Sequence, residues 1–548
     1  MNLMNVVQEP LQSGQPLAES YISDYYAVEH LYGGHPADDR SWTARLQWLD
    51  QTEHLRVGRK ELADRLRQYN ERFNPAPAVM SSLNKLEQPG TVVIAGGQQS
   101  GLFTGPLLVI YKAATIIKAA ERAASLLKRD VVPVFWIAGE DHDWDEVNHT
   151  YVLSPSLEVS RIRIPREEGR RGPVSYTPVS EEEWGNAARE LEKLLPDSEF
   201  KADLLQQLRD TLAVSTSMTE AFARLLGSWF GKYGLVLLDS ADPALRRLEV
   251  PMFEAMIRSN DELQSAYQAA SREIAAQGYH PQAEVAEGGA NLFYVFEGER
   301  LLLFKRDGRF VDRKGMVSFT PGELLDELHS HPERFSNNVL TRPVMQDYLL
   351  PVLGSVLGNG EIAYWALTGK AFELLQLRMP ILLPRMSFTV MEDKLQQHMD
   401  KYGLAWEDVI DHSVFGRIKA DWLARQDHLR LDDQFEEMKR AFAGMYDPLI
   451  EQLGSVEKGL IKLGGANKAK IIEQMEFMQA RVKDALERSN EAGLHHFDRI
   501  ELSLFPQQKP QERAYNIFAY LNRYGFDWID RLMEVPYEMM GQHRMIYM

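Results

Sequence analysis

The sequence predicts an α/β fold: a parallel-sheet core broken by two insertions, followed by an α-helical antiparallel coiled-coil arm. Three observations carry this. Short apolar runs, all but the last closed by a glycine or acidic turn, recur between residues 91 and 387. The first two of them enclose one helix-like stretch, the βαβ pattern that demands a parallel pair. Beyond residue 388 the periodicity changes to a sustained 3-4 repeat, which belongs to packed helices.

Residues 1–90 read as an α-rich entry, with apolar positions at helical spacing in SYISDYYAVEHLY and ARLQWLDQTEHLRVGRKELADRLRQYN. Asn74-Pro75-Ala76-Pro77 ends that pattern. A buried strand follows at residues 92–95, then the glycine turn GGQQSGLFTG, then Pro106 where a first helical turn tolerates proline. Helical spacing continues to Glu121. The second strand, residues 131–138, runs into Glu140, Asp141, His142, Asp143, Asp145, Glu146 and His149. Residues 151–215 form a first insertion, with VSRIRI, a basic turn (Arg166, Arg170, Arg171) and an acidic helix. The sheet resumes at residues 235–238 and ends in Asp239-Ser240-Ala241-Asp242-Pro243. A second insertion, α+β, occupies 261–340, where residues 291–296 and 301–305 alternate like meander strands. Strands return at 352–356, before Gly358-Asn359-Gly360-Glu361, and at 381–383, before Pro384-Arg385-Met386-Ser387. The core is therefore expected in three parts, 1–150, 216–260 and 341–387; the arm spans 388–505 and a C-terminal segment 506–548 packs back on core or arm.

Within the arm, Phe435, Met438, Phe442, Met445, Leu449, Val456 and Leu463 keep the repeat, and Ile471, Met475, Met478, Val482 and Ala485 resume it after Gly464-Gly465-Ala466-Asn467. Two such helices about a glycine turn make an antiparallel hairpin, its first helix about 45 Å long. One compact core cannot cover that length, so the arm is expected to support a homodimer, the alternative being that it holds a distant element.

Composition narrows the function. The net charge of −18 argues against a nucleic-acid binder. With no cysteine there is no disulfide, cysteine zinc site or cysteine nucleophile. No apolar run approaches the ~20 residues of a membrane span and the N-terminus shows no signal-peptide pattern, so no membrane partner and a cytoplasmic location are expected.

The glycine turn and the acidic turn both follow strands of one parallel sheet, so they share its carboxyl edge, where open α/β sheets bind ligands. Gln98, Gln99, Gly101, Thr104, Asp141, His142, Asp143 and Asp239 are expected to bound one pocket. The acidic group reads as a general base, a divalent-cation site or a grip for a substrate amine; its bland alternative is an N-cap turn. Glu361 reads as a ligand for a ribose hydroxyl or an amine, or simply as a helix-start carboxylate. Lys509, Arg513 and Asn516 stand at i, i+4 and i+7, with Arg499 before them and Tyr515 beside them to stack on a base; a solvated helix face is the competing reading.

GGQQSGLFTGPLLVIYK, FWIAGEDHDWDEVNH, GNGEIAYWAL and FPQQKPQERAYN together resemble the bacillithiol biosynthesis cysteine-adding enzyme (BshC) family, over most of the chain. The resemblance implies a Rossmann-like core related to class I aminoacyl-tRNA synthetases, connecting-peptide insertions and a coiled-coil arm. It implies a ligase joining L-cysteine to glucosaminyl-malate through an amide, with ATP activating the carboxyl and ADP or AMP as product. Gln98-Gln99-Ser100-Gly101 stands where a synthetase HIGH turn would lie, and Pro384-Arg385-Met386-Ser387 is the only counterpart of its KMSKS loop. Arg385 thereby joins Arg499, Lys509, Arg513, Tyr515 and Asn516 as nucleotide-binding candidates. No structural metal is expected, and a divalent cation is compatible. The alternatives are a nucleotide-binding, non-catalytic subunit, or a phospho- or nucleotidyltransferase using the acidic turn with a divalent ion.

Overall fold

The computed structural model describes residues 5–9, 11, 13–166 and 171–548, so Arg170 of the expected basic turn lies outside the described residues. The chain divides into two compact units, Met1–Met391 with Lys509–Met548, and Glu392–Gln508.

In the first unit the five expected strands form one parallel sheet: β1 (Val92–Gln98), β2 (Val131–Ile137), β3 (Val236–Asp239), β4 (Val352–Leu357) and β5 (Ile381–Pro384). Their spatial order is β5-β4-β1-β2-β3. The chain builds outward from β1 on one side and later returns to its other side, so the topological switch lies between β1 and β4. Alternate residues of β1 enter opposite cores, Val92 and Ile94 one, Val93 and Ala95 the other. Burial on both faces is why these strands read as unbroken apolar runs.

Helix α1 (Leu108–Leu127) crosses from β1 to β2. Gly96 admits it: a Cβ there would stand 2.8 Å from Ile116 Cδ1 and 2.9 Å from the Val356 carbonyl. The turn before α1 is longer than a phosphate-binding glycine loop, and Phe103 and Thr104 take left-handed φ of 53° and 74° within it. Helix α2 (Pro243–Arg258) follows β3, capped by Asp242.

The first insertion holds the hairpin His149–Leu153/Val159–Arg163 and helices Glu181–Leu194 and Lys201–Ala213. The second holds helix Asn260–Ala276 and an antiparallel sheet built on the meander Gly289–Phe296, Glu299–Arg306 and Arg309–Asp312. A small third sheet pairs Asn5–Gln8 and Ser387–Met391 with His543–Tyr547, so both ends of the described chain close onto the core.

The second unit contains the helical hairpin, α3 (Leu431–Leu453) and α4 (Gly459–Ser489). Two expectations are corrected here. The turn lies at residues 454–458, and Gly464-Gly465 stands inside α4. Gly464 is a contact point, where an added Cβ would meet Ile450 Cγ1 at 2.9 Å, so the glycine serves helix approach and not reversal. The first helix is accordingly shorter, 23 residues or about 35 Å. The apolar repeat also divides: Phe435, Phe442, Tyr446 and Ile450 form the inner seam, while Met438, Met445 and Leu449 are exposed. Tyr446 to Asn467 (2.8 Å) and Lys468 to Asp447 (2.6 Å) record the antiparallel register.

Candidate functional site

The carboxyl ends of β1, β2 and β4 open onto a cleft of about 760 Å³, within the usual range for small-molecule sites. Gln98, Gln99, Asp141, His142 and Glu361 line it, as do four arginines, Arg300, Arg342, Arg385 and Arg513. A second cavity of about 1110 Å³ adjoins it and shares Leu108, Gly358, Arg385 and Arg513; Lys509 and His543 stand on its other walls.

Gln99 joins the ends of β1 and β2, because its Nε2 donates to Asp141 Oδ2 and to Glu146 Oε2, both at 2.7 Å. Burial alone would raise the Asp141 carboxyl, but the Gln99 bond and the Arg300 charge outweigh it and hold Asp141 below the ordinary carboxylate range. Burial and Arg300 both depress the His142 imidazole, which favours its neutral form. Arg300 Nη1 lies 3.1 Å from His142 Nδ1. A guanidinium can only donate, so Nδ1 accepts and the ring proton sits on Nε2. Arg300 is itself held by Ser336 Oγ (2.9 Å) and the Asn337 carbonyl (2.6 Å), with its guanidinium carbon 3.7 Å from the Phe293 ring centroid. It comes from the meander of the second insertion. Nothing in the local sequence marks it; only the packing of that insertion on the sheet edge brings it to His142.

Asp143 takes a different position. It is exposed and caps the short helix Trp144–Val147, accepting from Glu146 N at 3.3 Å. Asp239 lies buried at the end of β3, accepting from Ser175 Oγ (2.8 Å) and Ala241 N (3.0 Å), and burial pushes its carboxyl up to about 7. Gly101 and Thr104 shape the turn without lining the cleft: Gly101 lets Gly105 Cα approach within 2.9 Å of where a Cβ would be, and Thr104 is fully buried.

At the switch point Lys112 of α1, not singled out by sequence reasoning, binds the Gly97 carbonyl (2.6 Å), Gln98 Oε1 (3.0 Å) and Glu361 Oε2 (2.5 Å). Glu361 Oε2 also accepts from Gly358 N at 2.8 Å, and Arg342 Nη2 stands 3.9 Å from Oε1. Arg385 is buried and its fork is spent on Glu512, at 2.9 and 2.5 Å. Burial would raise Glu512, but Arg385 overrides it and keeps the carboxyl below its usual range.

Lys509, Arg513 and Asn516 do not share a helical face. The segment consists of the single turns Pro506–Gln508 and Gln511–Arg513, and a regular helix begins only at Phe518, because Pro506 and Pro510 interrupt the pattern. Arg513 reaches the cleft, and Lys509 the second cavity. Tyr515 is buried in the core, its carbonyl accepting from Leu107 N at 2.9 Å. Asn516 Nδ2 donates to the carbonyls of Phe103 (2.9 Å) and Gly105 (2.8 Å), so it braces the glycine turn. Arg499 belongs to helix Glu491–Leu504 of the second unit. Among the described residues no group of three or more His, Asp or Glu side chains could hold a metal ion, and no helix is long and apolar enough to cross a membrane.

Comparison with known proteins places this architecture. The family model for the N-terminal Rossmann-like domain of bacillithiol biosynthesis BshC matches residues 4–386, and that for the C-terminal coiled-coil domain of BshC matches residues 388–548. The chain belongs to the BshC family. BshC relatives carrying the name "Putative cysteine ligase BshC" include that of Bacillus cytotoxicus, 34% identical over 488 residues (89% of this chain, 90% of that one). Those of Bacillus anthracis and Bacillus cereus are 34% identical over 532 residues, 97% of this chain and 98% of theirs. The BshC coiled-coil model extends to residue 548, whereas in the structure Lys509–Met548 pack with the Rossmann-like unit.

Proposed function

We propose that this chain is a ligase that joins the carboxyl group of L-cysteine to the amine of glucosaminyl-malate, the last step of bacillithiol biosynthesis, with ATP as activating co-substrate. Kinship over nearly the whole chain with proteins named as cysteine ligases carries the reading. The cleft at the switch point supports it, because the exposed Arg513 on its wall, which makes no ion pair among the described residues, offers a site for an anionic group in a chain of net charge −18.

An amine does not displace a carboxylate oxygen at neutral pH, so the cysteine carboxylate must first attack phosphorus. Attack at the α-phosphorus gives an acyl adenylate and pyrophosphate; attack at the γ-phosphorus gives an acyl phosphate and ADP. The amine then attacks the carbonyl carbon. The C–N bond forms, the C–O bond breaks, AMP or phosphate leaves, and the nitrogen loses a proton. Asp141, kept ionised by Gln99 and Arg300, suits the grip on a substrate ammonium. His142 offers Nε2–H as a donor to a developing oxyanion. Arg513 and Lys509 make no side-chain ion pair among the described residues and stand on the walls of the adjoining cavities, where phosphates would be held.

Cysteine-dependent exchange of pyrophosphate into ATP, followed by mass detection of the ligated product, tests the proposal. Phosphate and ADP without pyrophosphate would select the acyl-phosphate route. Neither product nor nucleotide turnover with all three substrates would overturn the ligase. Such chemistry needs ATP and reduced cysteine, so we place it in the cytoplasm. We also propose a homodimer through the α3–α4 hairpin, where Met445, Val456 and Leu463 are 72%, 78% and 65% exposed.

A further inference from the structure

Lys112 lies in the second turn of α1, on the face packed against the sheet, and is 1% exposed. A lysine ammonium has three N–H donors and accepts nothing. All three are taken, by the Gly97 carbonyl, Gln98 Oε1 and Glu361 Oε2. Lys112 therefore has nothing left for a ligand, although it borders the cleft. Its effect is on which atoms its neighbours show. With Oε1 engaged, the Gln98 amide turns its Nε2 hydrogens outward. With Oε2 shared between Lys112 and Gly358 N, Glu361 turns Oε1 outward. The two groups come from opposite sides of the switch, β1 and the helix after β4, and one nitrogen holds both.

We infer that Lys112 is a positioning residue that holds Gln98 and Glu361 as a paired donor and acceptor for two adjacent hydroxyl groups of a substrate. Charge favours hydroxyls over an ammonium. Glu361 already has Lys112 at 2.5 Å and Arg342 at 3.9 Å, so its free oxygen is better matched to a neutral donor than to a third cation. Hydroxyls on neighbouring carbons each donate and accept, which satisfies an N–H beside a carboxylate oxygen with no unpaired group. The identity of the bearer rests on the proposed reaction, whose substrates offer two: the ribose of the nucleotide and the sugar ring of glucosaminyl-malate.

Calorimetric binding to the full chain tests the inference without requiring turnover. The probes are ATP against 2′-deoxy-ATP, and glucosaminyl-malate against its 4-deoxy analogue. In the unaltered protein one deoxy probe is expected to bind at least tenfold more weakly than its parent. In Lys112→Met the parent weakens by a similar factor and the deoxy penalty falls below twofold. Because Lys112→Met strands the Glu361 carboxylate, Gln98→Met is measured beside it; it leaves the Lys112–Glu361 pair and the Glu361 acceptor in place, so it is expected to reduce the same penalty at least threefold while the chain stays folded. A penalty unchanged in Gln98→Met or in Lys112→Met, or the absence of any deoxy penalty in the unaltered protein, overturns the inference alone. Failure of both parent ligands to bind overturns it together with the proposed reaction.

Discussion

Asp239 and Glu249 are buried carboxyls whose pKa burial pushes up to about 7. Each folded value lies above the unfolded one, so the folded chain binds more protons between about pH 4 and 7. Stability conferred by the protonated form is thus present at acid pH and lost as pH rises through that window, by up to about 1.4 kcal/mol per pH unit and group. Asp239→Asn should flatten the fall in melting temperature between about pH 5 and 7; an unchanged profile would show that Asp239 does not titrate there. Arg246 sits between Glu140 and Glu249 and pairs with both. Arg246→Met leaves Glu140 and Glu249 buried without their shared cation and should cost about 3–5 kcal/mol in denaturant unfolding at about pH 8. The acidic turn separates in the same way. Asp141→Asn should lower product formation at least tenfold, whereas Asp143→Ala should cost about 1 kcal/mol of helix capping; comparing kcat/KM with melting for the two variants shows whether Asp143 takes part in the chemistry.

At the scale of elements, the C-terminal segment completes the turn that the first strand begins. Asn516 donates to two carbonyls of that turn and accepts from Phe518 N at 3.0 Å, all buried. Asn516→Ala leaves those groups unpaired and should destabilise the chain by about 1–3 kcal/mol. It should also raise amide exchange at Phe103 and Gly105, and unchanged exchange would free the turn from that brace. In the hairpin, Gly464→Val should separate α3 from α4 at Ile450 and lower helicity at a fixed temperature.

For the molecule as a whole, the exposed stripe on the hairpin sets the association test. Met445→Glu with Leu449→Glu should give monomers in sedimentation while circular dichroism remains that of an intact hairpin. A variant that stays dimeric would place the interface elsewhere. The exposure of those residues is itself a product of pairing, since Phe435, Phe442 and Ile450 take the seam with α4 and leave the other half of the apolar repeat outside.

How much of this was legible beforehand divides along the range of the interactions involved. The five strands, the two insertions and the helical hairpin could be read directly, because burial on both faces of a parallel sheet and the 3-4 repeat of paired helices are local, periodic demands on side-chain type. The Gln99–Asp141 junction was within reach too, since a βαβ unit puts both turns at one sheet edge. Lys112 was not, because a lysine within an apolar helix carries no sign of the three acceptors that bury it. Arg300 was not, because its partner stands 158 positions away and meets it only when the meander folds over the sheet edge. Lys509, Arg513 and Asn516 depart from their spacing for the converse reason: regular spacing predicts a shared face only if the backbone is helical, and two prolines with a buried asparagine shape that segment as turns. Local pattern thus determined which elements form and in what order. The pairing of charges in the cleft, and which atoms it presents to a ligand, arose from contacts between distant segments that no local pattern encodes.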